Sequence, residues 1–294
     1  MHFPLSSMAL GTWRLLNDPI TATPAGAIAL IRTALDAGID TIDTAEIYGG
    51  YAVESLLGEA LRLDSAVKAK VRIVSKAGIY VPHATAPDRK VAHYNASAEQ
   101  LVASAEASLL KLGVERLDLF LVHRPDWFTH PAETAKGLNR LTASGKVAAV
   151  GVSNYTAFQW DALAAYLGKP PATNQVQFSP FHLEPMFDGA FDRCMRDGVT
   201  PMAWSPTGGG RLFNGTHEEE VRVRECLESL AKKYAVGVDA LCHAWVMAHP
   251  SKPISVLGTN KPERVISAAK AMGVRWERED WFAVAEAARG SRIP

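Results

Sequence analysis

The chain has 294 residues, a length that suits one α/β barrel, and 48% of them are hydrophobic, enough for a large core. Its 31 acidic and 31 basic residues balance, so it lacks the basic excess typical of proteins that bind nucleic acid. It shows neither an apolar run of about 18 residues nor a signal-peptide pattern at its start, which argues against a membrane span and against secretion. We therefore expect a cytoplasmic protein that binds neither nucleic acid nor membrane.

The cysteines argue against a disulfide framework. Cys194, Cys226 and Cys242 are odd in number, widely spaced and lie in predicted helices, so we expect free thiols in a reducing compartment. The pair Cys242-His243 suggests metal binding, but adjacent helix residues point to different sides of the helix. We interpret the pair as a buried thiol beside a helical imidazole and predict no metal site.

Short apolar runs rich in valine and isoleucine alternate along the chain with longer segments of helical periodicity. Eight runs are predicted as strands: 8–10, 39–43, 71–75, 117–122, 147–152, 173–178, 200–204 and 254–257. Because nearly every position in them is apolar, they are typical of parallel strands buried on both faces. With no linker or low-complexity tract between them, they predict an α/β fold, a single (β/α)8 TIM barrel domain over residues 1–294.

Helix signals between the strands support this order. Thr23-Pro24 has the form of an N-cap followed by proline at the first helical position, and the segments 97–100 and 260–263 have capping-box spacing. Four glycines follow helical patterns, where a left-handed C-cap is useful: Gly38, Gly113, Gly145 and Gly198. A doubly wound sheet is the alternative, but Gly11-Thr12-Trp13-Arg14 after the first strand lacks its glycine fingerprint.

Polar residues follow the predicted strands at their carboxyl ends, where a (β/α)8 barrel carries its active site. In chain order they are Asp43, Ser75-Lys76, His123, Ser153-Asn154, Gln175, Trp204-Ser205 and Gly258-Thr259. Each has a structural explanation on its own, since a carboxylate can cap a turn, a lysine can reach solvent and a histidine can be satisfied in the core. Their joint occurrence at equivalent strand ends instead indicates a reaction site.

The next candidate is Tyr48, five residues after Asp43, on a loop that Gly49 and Gly50 allow to turn tightly. A nearby Lys76 ammonium is expected to lower the pKa of the phenol, and Asp43 to hold that lysine in place. Tyr48 would then give a proton to a carbonyl oxygen as hydride arrives at the carbon, with His123 as a second donor.

No side chain supplies hydride, so this chemistry requires a nicotinamide cofactor. Ser153, Asn154 and Gln175 are suited to binding its carboxamide, and Trp204 to stacking on its ring.

Seven segments stand in a specific order: 42–49 (IDTAEIYG), 74–76 (VSK), 121–125 (LVHRP), 151–154 (GVSN), 174–180 (NQVQFSP), 204–206 (WSP) and 257–264 (LGTNKPER). Together they resemble the aldo-keto reductase family over nearly the whole chain. The resemblance implies the tetrad Asp43, Tyr48, Lys76 and His123. It further implies nicotinamide contacts from Ser153, Asn154, Gln175 and Trp204. The loop implied to lie along the pyrophosphate is Ser205, Pro206, Thr207 and Gly208, with Arg211 near the phosphates.

The resemblance also implies a site for the 2′-phosphate of NADPH. Gly258, Thr259 and Asn260 open a helix whose free amides suit a phosphate, and Arg264 lies one turn further on. Some relatives carry a lysine where Gly258 stands, so one cation is missing here. We expect NADPH as the cofactor, with NADH as the alternative.

The substrate pocket is the least defined part of the prediction. Trp13, Ile47, Tyr80 and Trp127 follow predicted strands and are expected to form an apolar wall around a small carbonyl substrate. Arg124 stands where several relatives carry an aromatic residue, which points to an anionic or polar substrate. The loop 78–95 is interpreted as a lid or as a solvated excursion.

Two other functions are compatible with a barrel that carries these residues. A Schiff-base lyase would use Lys76 as its nucleophile, but Asp43 should keep that lysine charged. A regulatory barrel would hold NADPH with little turnover, yet the complete tetrad argues against lost chemistry. The sequence says nothing about the oligomeric state.

Overall fold

The computed structural model describes residues 5–84 and 87–293. In this part of the chain the strands are β1 (Met8–Gly11), β2 (Thr41–Asp43), β3 (Arg72–Ala77), β4 (Ile79–Tyr80), β5 (His93–Tyr94), β6 (Leu117–Val122), β7 (Val147–Ser153), β8 (Asn174–Gln177), β9 (Met202–Trp204) and β10 (Ile254–Leu257). Eight of them form a closed parallel barrel in the order β1-β10-β9-β8-β7-β6-β3-β2. The predicted (β/α)8 fold is confirmed.

Helices lie between successive barrel strands and after the last one. They are α1 (Pro24–Asp36), α2 (Tyr48–Tyr51), α3 (Val53–Arg62), α4 (Ser65–Lys68), α5 (Ala98–Leu112), α6 (Pro131–Ala143), α7 (Ala157–Leu167), α8 (Ala190–Arg196), α9 (Arg211–Asn214), α10 (Glu218–Tyr234), α11 (Val238–Ala248), α12 (Pro262–Ala269) and α13 (Arg278–Arg289). None of the described helices is long and apolar enough to cross a membrane.

The continuous apolar runs are explained by burial on both faces of the barrel wall. In β6, Leu119 and Leu121 pack inside the barrel, whereas Phe120 and Val122 pack against the surrounding helices. Side chains alternate between the two faces of a strand, so both sets must be apolar. All eight predicted strands are present. The bounds of 117–122 and 254–257 are those of the structure, while the other six differ from it by one or two residues at one or both ends.

Helix capping is confirmed in part. The Thr23 hydroxyl accepts a hydrogen bond from Gly26 N, and the four C-cap glycines have positive φ. The two predicted capping boxes are wrong. Ser97 is an N-cap whose side chain makes no cap hydrogen bond, and Asn260 precedes the N-cap residue Lys261 and donates instead to Arg14 O at 3.1 Å.

The segment after β3 was predicted without regular structure, but it contains the antiparallel hairpin of β4 and β5. Tyr51 anchors this segment, since its hydroxyl accepts hydrogen bonds from Val81 N at 3.2 Å and Arg89 Nη1 at 2.8 Å. Residues 85 and 86 of the loop lie outside the described residues. The hairpin gives the loop a fixed attachment beside the barrel mouth.

The cysteine region agrees with its structural interpretation. Cys194 and Cys242 are buried free thiols, and Cys242 Sγ donates to Pro206 O at 3.2 Å. His243 Nδ1 lies 2.8 Å from Ser255 Oγ on β10. Within the described ranges, no group of three or more potential metal-binding side chains is present.

Candidate active site

The carboxyl ends of the barrel strands surround a cavity of about 360 Å³. The predicted site residues that line it are Trp13, Asp43, Ile47, Tyr48, His123, Arg124, Ser153, Asn154, Gln175, Trp204, Ser205, Pro206, Thr207 and Gly258. Lys76 lies directly beneath them, bonded to Asp43 and Tyr48. The barrel therefore brings together, from the ends of all eight of its strands, most of the residues that the sequence singled out.

Lys76 forms the centre of the hydrogen-bond network. Its ammonium is fully buried and donates to Asp43 Oδ1 at 2.7 Å, to Thr44 O at 2.7 Å and to Tyr48 Oη at 3.2 Å. These three acceptors match the three N–H donors of an ammonium. The other carboxylate oxygen of Asp43 accepts from Gln175 Nε2 at 2.6 Å. Lys76 is therefore held in one position and oriented toward the phenol.

Burial and charge act in opposite directions on these groups. Burial raises the pKa of Tyr48 and is the largest effect, while the Lys76 ammonium lowers it. The net pKa lies above the ordinary value, so our expectation of a lowered pKa is wrong for the protein alone, since desolvation outweighs the single ammonium. Burial likewise lowers the pKa of Lys76, but Asp43 and Tyr48 together raise it above its ordinary range. Lys76 is therefore charged and is a poor nucleophile, which disfavours a Schiff-base role.

His123 is held neutral beside the phenol. Burial, reinforced by the charges of Lys76 and Arg124, lowers the pKa of His123 well below 6.5. Its ring centre lies 5.9 Å from that of Tyr48, in an edge-on arrangement. His123 Nδ1 is buried and has no hydrogen-bond partner among the described residues. A neutral imidazole carries one N–H donor, which can be directed at a substrate oxygen.

The amide-bearing residues form a connected layer beside the tetrad. Asn154 Nδ2 donates to Ser153 Oγ at 2.7 Å, and Trp204 Nε1 donates to Asn154 Oδ1 at 3.0 Å. Gln175 Nε2 donates to Asp43 and to Met202 Sδ. The side-chain carbonyl oxygen of Gln175 is therefore the group left for a ligand. Gln175 thus orients the Asp43 carboxylate as well as lining the cavity, a role that its strand-end position alone did not reveal.

Two residues at this layer have a strained backbone. Asn154 has φ of 59° and Ser205 has φ of 51°, left-handed conformations that non-glycine residues rarely adopt. Such conformations cost about 1–3 kcal/mol and are maintained where the surrounding structure requires them. Both residues line the cavity, at the ends of β7 and β9.

The predicted phosphate region lies partly outside the cavity lining. Thr259 Oγ1 accepts from Lys261 N at 3.2 Å, and Arg264 is exposed at the start of α12 with its guanidinium 5.7 Å from the ring centre of Phe213. Arg211 Nη2 donates to Phe181 O at 2.5 Å and Nη1 lies 3.4 Å from Glu219. The Arg211 guanidinium is therefore bonded to the protein, away from the cavity.

Arg14 is a site residue that the sequence analysis missed. Its guanidinium donates to Gly258 O at 2.8 Å and to Gly209 O at 3.4 Å, and so joins the loops that follow β9 and β10. A Cβ at Gly258 would lie 2.9 Å from Arg14 Nη1, so the guanidinium packs closely against this glycine. Arg14 thus places a cation beside Gly258. The signal available in the sequence was that Arg14 lies shortly after a predicted strand, two residues beyond Thr12.

Two of the predicted wall residues lie elsewhere. Tyr80 is 3% exposed and its hydroxyl is 2.9 Å from Ser104 Oγ, with a pKa that burial raises to about 12. Trp127 is 85% exposed and makes an edge-on contact with Tyr94. The β4–β5 hairpin turns Tyr80 into the core, whereas Trp127 lies on the loop after β6 and packs against Tyr94 of that hairpin. Trp13 and Ile47 do line the cavity, together with the apolar residues Trp204, Pro206, Val256 and Leu257.

Residues 7–289 match the model of the aldo/keto reductase family. This chain belongs to that family. It is 40% identical to a 6-dehydroglucose reductase of Novosphingobium aromaticivorans, over 99% of this chain and 94% of that protein. It is 38% identical to a protein of the same name from Agrobacterium fabrum, over 98% and 96% respectively. Among solved structures, a glycerol dehydrogenase from Gluconobacter oxydans superposes with a TM-score of 0.87 at 26% identity, covering 100% of this chain and 95% of that one.

Membership of the aldo/keto reductase family gives the cavity its chemistry. The protein is an oxidoreductase that reduces carbonyl compounds by hydride transfer from a nicotinamide cofactor.

Proposed function

We propose that this aldo/keto reductase uses NADPH to reduce an aldehyde or ketone to the alcohol, with Tyr48 as the proton donor. The observation that carries the proposal is the fully buried chain of hydrogen bonds from Asp43 through Lys76 to Tyr48, which opens into the cavity at the phenol. It offers a proton at one defined atom, Tyr48 Oη.

The chain's own residues have distinct roles in this reaction. Tyr48 Oη donates a hydrogen bond to the carbonyl oxygen and transfers its proton as negative charge develops there. The Lys76 ammonium stabilises the phenolate that remains, and Asp43 keeps Lys76 charged and in position. His123, held neutral, donates a second hydrogen bond to the same oxygen. The cofactor supplies the hydride when bound.

The residues at the cavity fit a nicotinamide dinucleotide. The carbonyl oxygen of Gln175 and the layer of Ser153 and Asn154 suit the carboxamide, and the Trp204 ring, oriented by its bond to Asn154, suits stacking on the nicotinamide. We assign Ser205 to Gly208 to the pyrophosphate, together with Arg14, whose guanidinium already lies between the loops on either side. Arg211 is bonded to Phe181 O and is a weaker candidate.

The preference for NADPH depends on the residues that open α12. Gly258, Thr259 and Asn260 precede α12, whose positive dipole end attracts a phosphate, and Arg264 adds a positive charge in its first turn. Arg264 is exposed and its contact is with the Phe213 ring rather than with a carboxylate. Its guanidinium is therefore available to bind the 2′-phosphate.

The relatives named as 6-dehydroglucose reductases indicate the kind of substrate to test first. We propose a small polar carbonyl compound, since Arg124, His123 and Tyr48 share a cavity otherwise walled by Trp13 and Ile47. A cytoplasmic location and a single domain over residues 1–294 stay predictions.

The deciding experiment is a titration of the purified protein with NADPH and with NADH, followed by tryptophan fluorescence. We expect tighter binding of NADPH, and we expect Arg264→Ala to weaken NADPH binding about 10- to 100-fold, as for the loss of a charge-assisted hydrogen bond, while NADH binding changes little. The control is Arg140→Ala on α6, an exposed arginine distant from the cavity. Equal weakening of both cofactors by Arg264→Ala would place the 2′-phosphate elsewhere, and no binding of either cofactor would overturn the proposal.

A further inference from the structure

Arg124 follows His123 directly and brings a positive charge to the substrate end of the cavity. Its guanidinium lines the same cavity as Tyr48 and His123, and its carbon Cζ lies 5.9 Å from the centre of the Trp204 ring. The phosphate-binding region proposed above lies at the other end, near Gly258. The charge of Arg124 is thus placed beside the reacting carbonyl rather than beside the cofactor phosphates.

This charge is not neutralised by the protein. Among the described residues no carboxylate lies within 4 Å of the Arg124 guanidinium, whereas Lys76 is paired with Asp43 and Arg211 with Glu219. Its effect reaches the tetrad, because the positive charge of Arg124 contributes to lowering the pKa of His123. The Arg124 guanidinium is therefore free to pair with a negatively charged ligand.

The chemistry of guanidinium narrows the choice of ligand. Its planar fork matches the two oxygens of a carboxylate, and such bidentate bonds are about twice as strong as neutral ones. Asp43 is the one carboxylate among the described lining residues, and its oxygens are bonded to Lys76 and Gln175. An anionic substrate therefore meets no unpaired negative charge there.

We propose that Arg124 binds a carboxylate of the substrate, so that the preferred substrates are aldehydes or ketones that also carry a carboxylate. This rests on the proposed function, because the carbonyl must lie at Tyr48 and His123 while the carboxylate lies at Arg124. The relatives named above are called 6-dehydroglucose reductases, after an uncharged sugar. The test therefore compares charged with uncharged substrates.

The test compares each carboxylate substrate with its uncharged methyl ester. The rate constant kcat/KM is measured with NADPH for 4-carboxybenzaldehyde and its methyl ester, and for 4-oxobutanoate and its methyl ester. We expect the wild-type protein to prefer each acid. Arg124→Met should lower kcat/KM for the acids about 10- to 100-fold and for the esters less than about 3-fold. Arg124→Lys, which keeps the charge and loses the fork, should lie between the two.

A binding measurement makes the test independent of turnover. Benzoate is titrated into the NADPH-saturated protein by calorimetry, and we expect Arg124→Met to weaken its binding by a similar factor. Arg140→Met, which removes one exposed positive charge from α6, should leave both measurements unchanged.

The outcomes distinguish failure of this inference from failure of the proposed function on which it rests. If Arg124→Met affects acids and esters equally, or benzoate binds both proteins alike, Arg124 does not bind a carboxylate. An equal loss on an uncharged polyhydroxy aldehyde would assign Arg124 to hydroxyl groups and would likewise overturn the proposal. If the wild-type protein reduces neither member of any pair, carbonyl reduction itself is in question, while benzoate binding still decides the role of Arg124.

Discussion

Lys76 carries a full positive charge into the barrel interior, where a lone ammonium would be strongly destabilising. Its three N–H groups each have an acceptor, and one of these belongs to the Asp43 carboxylate. Removing one partner of such a buried pair typically costs about 3–5 kcal/mol, because the other charge is left uncompensated. The same contacts fix the ammonium beside Tyr48 Oη, where the proposed reaction needs it.

The phenol itself is tested by Tyr48→Phe. We expect this change to keep NADPH affinity within about 3-fold and to lower kcat for carbonyl reduction by about 100- to 10,000-fold, because only the proton donor is removed. Tyr166→Phe on α7 is the matched control, since Tyr166 is about half exposed and contacts His130 rather than the cavity. Near-normal turnover by Tyr48→Phe would show that another group donates the proton.

The pH dependence of turnover follows from the two perturbed groups. The proposed reduction requires Tyr48 in its protonated form, and burial raises the pKa of Tyr48 above its ordinary value of 10.0. Reduction should therefore decline only above about pH 10, while alcohol oxidation, which needs the phenolate, should increase with pH. On the acid side, burial lowers the pKa of His123 well below 6.5, so no titration of His123 should appear near pH 6.5. A profile of kcat/KM from pH 5 to 11 checks the expectations for both groups. A decline of kcat/KM for reduction near pH 7 would contradict the assignment of Tyr48 as the proton donor.

At the scale of elements, β3 connects the active site to the helical layer outside the barrel. Consecutive residues of a strand point to opposite faces, so Lys76 points into the barrel and Ser75 points outward. Ser75 Oγ donates to Glu54 Oε1 on α3 at 2.6 Å, and Ser108 Oγ on α5 donates to Glu54 Oε2 at 3.1 Å. One buried carboxyl group thus joins β3, α3 and α5 behind the tetrad.

Glu54 should make stability depend on pH. Burial raises the pKa of Glu54, so its contribution to folding is fully present below the unfolded pKa and is lost as pH rises through the folded pKa. As pH rises from 5 to 8 the wild-type protein should lose unfolding free energy relative to Glu54→Gln, because Glu54 ionises more readily in the unfolded chain. Denaturant unfolding at both pH values measures this difference. Glu59→Gln, an exposed change on the same helix, should show none, and parallel behaviour of wild type and Glu54→Gln would refute the prediction.

The loops are the elements that sequence reasoning described least well. Trp13, Ile47 and Arg124 line the cavity, and each lies within four residues of the end of a barrel strand. Tyr80 and Trp127 do not line it, because the direction of Tyr80 is set by pairing in the β4–β5 hairpin and Trp127 packs on Tyr94 of that hairpin, contacts that apolar periodicity does not encode.

At the scale of the whole molecule, the barrel and the position of its site were predictable from two simple patterns. The strands were visible because both faces of the barrel wall are buried, and the tetrad because polar residues interrupt that apolar pattern at the strand ends. Arg14 was missed for a physical reason, since its acceptors are the backbone carbonyls of Gly209 and Gly258, which have no side-chain signature. The left-handed backbone of Asn154 and Ser205 was equally invisible, because neither residue type requires it.

The pairing of the first barrel strand with the last has a consequence for synthesis of the protein. β1 pairs with β10, and Arg14 reaches a carbonyl that lies 244 residues further along the chain. A growing chain on the ribosome therefore cannot close its barrel until the tenth strand has emerged, and its early strands must wait with one edge unpaired. A chain released before residue 258 lacks the Gly258 carbonyl that Arg14 binds, so the loops after β9 and β10 cannot be joined by that side chain.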